Sequence, residues 1–153
     1  MNKLATLLVE VCQNGQLEMA KSLIDCGADI NANEFAGTQI TKKCRSTTSK
    51  RYYQQYNPLL ISCYSKQTEI VKYLLSKSCK LNAGYRTNQE QVEDNHRWYD
   101  ALHAACRTKN NKQIIDLLMK KKKDWNYKYL TEALDCDKDM IAYVNSKRER
   151  NRE

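Results

Sequence analysis

One proline and four glycines in 153 residues leave this sequence short of the turns that β-sandwiches, collagens and Gly-rich linkers require. It also lacks any run near the ~18 consecutive apolar residues a membrane-spanning helix needs. The opening, Met1 to Glu10, is too short and too soon interrupted by charge for a secretory leader. Seven cysteines are present without a single C-x-x-C pair, and an odd number cannot pair completely within one chain. Only His96 and His103 are available to help them, which is thin for a four-ligand zinc site. Gly-rich phosphate loops, H-E-x-x-H, G-x-S-x-G and EF-hand patterns are all missing. The expectation is a cytoplasmic chain with reduced thiols, no metal, no cofactor, no small-molecule substrate and no catalytic activity. Nuclear residence, or residence within a ribonucleoprotein, is the alternative location.

What is present is a repeat. Hydrophobic residues make up 41% and charged residues 29%, enough to pack the core of one ordinary domain. Three segments superimpose without gaps: Thr6 to Cys12, Asn57 to Cys63 and Asp100 to Cys106. Each opens on a residue whose side-chain oxygen can cap a helix, and Pro58 follows Asn57 at the first helical position. A second amphipathic run follows each start, at Leu17–Ile24, Thr68–Leu75 and Asn111–Leu118, with apolar residues at helical spacing. Gly15 and Gly27 stand where the first unit's helices should stop; Lys66 and Ser78, then Lys109 and Lys121, take those places later. The unit therefore reads helix, tight turn, helix, extended exit.

Asp100-Ala101-Leu102-His103-Ala104-Ala105-Cys106 and Asn57-Pro58-Leu59 resemble the T-P-L-H-x-A-A opening of the ankyrin-repeat family. Gly27-Ala28-Asp29-Ile30-Asn31-Ala32 is similar to its G-A-D-V-N-A ending, which decays to Ser78-Cys79-Lys80-Leu81-Asn82-Ala83 in the second unit. The resemblance implies an all-α solenoid of three full repeats, at about 4–35, 56–83 and 99–125, forming one domain with a degenerate cap at 127–146. It also implies a structural role for His103 and a concave face that binds protein. Cys12, Cys63 and Cys106 share one small-residue position and read as core packing.

The departures from regular spacing locate the insertions. Successive starts are 51 and 43 residues apart, yet 21 residues always separate a start from the second helix's expected stop. The extra residues must lie between units, at 36–55 and 84–98, where they disturb no helix packing. The formal charge of +8 is distributed unevenly. Residues 1–35 hold two cations and five carboxylates, whereas 36–56 hold Lys42, Lys43, Arg45, Lys50 and Arg51 with no acid. These five, with Tyr52 and Tyr53, fit either a solvated loop whose lysines keep the protein soluble or a binding finger for a protein with an acidic surface. The same blend suits RNA phosphates, and the alternative function is a basic structural subunit of a ribonucleoprotein or other large assembly. Trp98 and Trp125 flank the third unit beside Arg97 and the Lys120–Lys123 run and complete the candidate set. A basic tail, 147–153, closes the chain.

Overall fold

The computed structural model describes residues 3–31, 34–35, 55–81, 100–132 and 136–150. Its helices are α1 (Lys3–Asn14), α2 (Leu17–Asp25), α3 (Pro58–Tyr64), α4 (Thr68–Ser76), α5 (Ala101–Cys106), α6 (Lys112–Lys121), α7 (Tyr127–Glu132) and α8 (Lys138–Arg150). They form two layers: α1, α3 and α5 pack side by side, and behind them run α2, α4, α6 and α8. The chain is an all-α solenoid of helix-turn-helix units.

Capping chemistry sets two of the three unit starts where the sequence puts them. The Asn57 side chain accepts from the Leu60 N–H at 2.7 Å, and that of Asp100 accepts from the His103 N–H at 2.8 Å. Thr6 does not do this job. α1 already includes Lys3, because Lys3-Leu4-Ala5 are good helix formers and continue the turn upstream, so Thr6 lies inside the helix.

Left-handed residues divide the two helices of each unit. Gly15, Lys66 and Asn110 have φ of +79°, +59° and +58°, and the second helix begins two residues after each. The third turn is thus one residue longer than expected and turns at Asn110 rather than Lys109, since Asn tolerates this conformation better. Gly27 and Ser78 repeat the device at the exit, with φ of +98° and +58°. Lys121 does not: it is still helical, and the chain leaves α6 through an extended Lys122.

Polar side chains fasten each unit to the one before it. The Gln67 amide donates to the Gln13 carbonyl at 3.0 Å, and the Asn111 amide to the carbonyls of Cys63 and Ala105 at 2.8 and 3.0 Å. The Thr108 hydroxyl reaches the Tyr64 carbonyl at 2.5 Å. Gly15 makes room for this arrangement, because a Cβ there would sit 2.6 Å from Gln67 Oε1.

Two short strands, β1 (Glu34–Phe35) and β2 (Gln55–Tyr56), pair antiparallel with Glu34 opposite Tyr56 and Phe35 opposite Gln55. They join the two ends of the first insertion. At the other end of the stack the cap extends further than its sequence suggests. α8 runs to Arg150, so Lys147 to Arg150 are helical rather than tail. The reason is a polar clamp on α6: the Tyr143 hydroxyl donates to Asp116 at 2.5 Å, and Lys147 pairs with the same carboxylate.

Candidate interaction surface

The residues that tempt a catalytic reading are packed away. His103 is buried within α5, and Cys12, Cys63 and Cys106 are fully buried at one register position. Burial pushes the Cys12 thiol up to about 12 and raises the Cys63 and Cys106 thiols as well, so all three stay protonated and non-nucleophilic. Cys79 rises to about 11 for the same reason. Among the described residues no disulfide forms and no group of His, Cys, Asp and Glu is placed to hold a metal ion.

Asp100 is the one buried carboxylate of the α5 start. Burial raises its carboxyl above the usual range, opposed by the His103 N–H it accepts and by the nearby charges of His103 and Lys122. A raised folded-state value means the folded chain holds this proton more readily than the unfolded chain. The associated stability is complete below the ordinary carboxylate range and is lost as pH rises through the raised value. Asn57 does the same capping without charge. Asp100→Asn should therefore unfold at higher urea than the parent at neutral pH, with the gap closing in acid; urea midpoints across pH measure it.

The sequence-derived candidates separate into two groups. Lys42, Lys43, Arg45, Lys50, Arg51, Tyr52, Tyr53 and Trp98 lie outside the described residues. Trp125 is described, and it corrects the sequence reading. It is 4% exposed, and its indole N–H donates to the Lys122 carbonyl at 2.7 Å. It is a core residue and presents no face to a partner. The first unit, by contrast, exposes Leu4 (37%), Leu7 (42%) and Met19 (49%). Pro58 and Ala101 match Leu7, and Ile70 and Ile114 match Met19; all four are buried. Among the described residues, no unit precedes the first to cover these positions.

Two features escaped the sequence reading. One is the set of inter-unit amides, although an amide residue at Gln16, Gln67 and Asn111, one place after each left-handed residue, is a visible signal. The other is the approach of the cap's basic end to the Lys120–Lys123 run. Arg148 stacks on the Tyr127 ring at 4.3 Å, and the Tyr127 hydroxyl donates to the Lys123 carbonyl at 3.0 Å.

The profile of ankyrin repeats, in three copies, matches residues 8–129. The chain belongs to the ankyrin-repeat family. Ankyrin repeats serve generally as protein–protein interaction modules and are typically non-catalytic. A comparison with curated proteins finds no match. No helix among the described residues is long and apolar enough to cross a membrane.

Proposed function

We propose that this chain is a non-catalytic adaptor or inhibitor that acts in the cytoplasm and binds an acidic protein surface through its first insertion. The observation that carries this reading is the β1–β2 pairing. It brings the ends of the insertion together beside α1, so the repeat units on either side are not interrupted. Residues inserted between units, outside the repeat positions, can commit their side chains to a partner. Lys42, Lys43, Arg45, Lys50 and Arg51 supply attraction and association rate, while Tyr52, Tyr53 and Trp98 supply the aromatic anchors an interface needs.

Reversing the five cations to glutamate tests this. The melting temperature should stay near that of the parent, because no repeat position changes. Quantitative mass spectrometry of proteins captured from a cytosolic extract should show the parent's partners depleted about tenfold or more, and most at low salt. A variant that captures the same proteins equally well overturns the assignment.

A further inference from the structure

Outside the insertion, the one run of four consecutive cations lies at the far end of the stack. α6 ends in Lys120 and Lys121 and is followed by Lys122 and Lys123; α8 ends in Lys147, Arg148 and Arg150. These runs are distant in sequence but meet in space through the Arg148–Tyr127 stack and the Tyr127–Lys123 hydrogen bond. Lys122 lies over the Trp125 ring at 5.2 Å, and Lys147 is matched by Asp116. Asp124 and Glu149 are the carboxylates interspersed in the two runs, so positive charge is left in clear excess. Cations at the end of α6 complement its helix dipole, which accounts for the first run alone. It does not account for a second basic run laid beside it.

We propose that this edge, formed by Lys120, Lys121, Lys122 and Lys123 with Arg148 and Arg150, binds the phosphate backbone of duplex nucleic acid without reading its sequence. Two observations select this partner. First, the edge has no apolar anchor: the exposed large hydrophobic residues among the described ones are Leu4, Leu7 and Met19, all on α1 and α2 at the opposite end. A protein interface, or insertion into a lipid surface, needs such anchors; phosphate contact does not. Second, its described aromatic rings are already occupied. Trp125 is buried and Tyr127 is stacked under Arg148, so neither offers unpaired bases an open ring on which to stack. What remains is a set of ammonium and guanidinium groups, exposed at Lys120, Lys121, Lys123 and Arg150 and half-buried at Lys122 and Arg148, and a duplex backbone is the ligand that matches it. The site is separate from the insertion and stands or falls independently of the protein-binding reading.

Fluorescence anisotropy with a labelled DNA duplex of about 20 base pairs, long enough for several phosphate contacts, tests the proposal. The association constant should fall about 100-fold between roughly 50 and 200 mM salt, as about four phosphate contacts require. An RNA duplex of the same length should behave alike. Combining Lys120→Gln, Lys121→Gln, Lys123→Gln and Arg150→Gln should weaken binding at least about tenfold and flatten the salt slope by about three units. The matched set Lys42→Gln, Lys43→Gln, Lys50→Gln and Arg51→Gln removes the same charge and should weaken binding less than about threefold. If the fourfold edge variant unfolds, Lys123→Gln and Arg150→Gln singly should each reduce the slope by about one unit. Equal losses from the two sets, an unaltered edge variant, or salt-independent binding would each overturn the site. Tighter binding of a single strand of equal length, of polyglutamate, or of phosphatidylserine vesicles would overturn the partner.

Discussion

Ile70→Ala and Ile114→Ala should each destabilise the fold by about 2–5 kcal/mol, while Met19→Ala at the equivalent position changes stability by less than about 0.5 kcal/mol. The three residues share one register, four places beyond the left-handed residue of their unit. They differ in surroundings. Ile70 and Ile114 are 1% and 0% exposed, with α4 packed on α2 and α6 on α4, whereas Met19 is 49% exposed. Truncating either isoleucine removes contacts from two units at once and leaves a cavity that helices held on both sides cannot close. Urea midpoints of the three variants measure the contrast. Equal costs at all three positions would mean that the first unit's edge is covered in solution.

Asn111→Ala should cost about 1–3 kcal/mol, because it removes two buried amide hydrogen bonds and leaves the Cys63 and Ala105 carbonyls only the longer backbone donors of Lys66 and Thr108, at 3.4 and 3.3 Å. Gln16→Ala is the matched control. Gln16 occupies the same place in the first unit but is exposed, and its loss should register within about 0.5 kcal/mol. Equilibrium unfolding followed by helical circular dichroism reads both. Asn111→Gln separates bonding from packing: it keeps the amide but lengthens the reach, and recovery by this variant would locate the cost in the hydrogen bonds. A small loss for Asn111→Ala would instead show that the Lys66 and Thr108 backbone N–H groups satisfy the two carbonyls by themselves.

Much of this architecture is legible in the residues, and the exceptions have physical reasons. Asn57 and Asp100 announce helix starts because a cap is a local interaction, decided within four residues. Gly15 and Gly27 announce turns for the same reason. Lys109 misleads because a constant interval cannot reveal one extra residue in a turn; only the preference of Asn110 for the left-handed region hints at it. Trp125 misleads in another way. Flanked by charge in sequence, it looks exposed, yet its ring is buried by helices that the local sequence does not encode. The basic edge was half visible: Lys120–Lys123 stand out as a run, but their meeting with Arg148 depends on Asp116 fixing α8 at a distance in sequence. Of the insertion only the base, at β1 and β2, falls among the described residues, so its cations rest on composition and position.

Three of the side chains that bind unit to unit reach backward; Asn31, which accepts from the Lys80 N–H at 2.7 Å, reaches forward. Gln67, Thr108 and Asn111 each donate to a main-chain carbonyl that precedes them by one unit, at Gln13, Tyr64 and Cys63. A carbonyl at the end of a helix exists as soon as that helix does, whatever residue carries it. On a ribosome, then, each emerging unit meets a finished template and brings its own fastener. For these three fasteners, nothing yet to be synthesised is needed to lock. The stack is built to be assembled in the order in which it is translated.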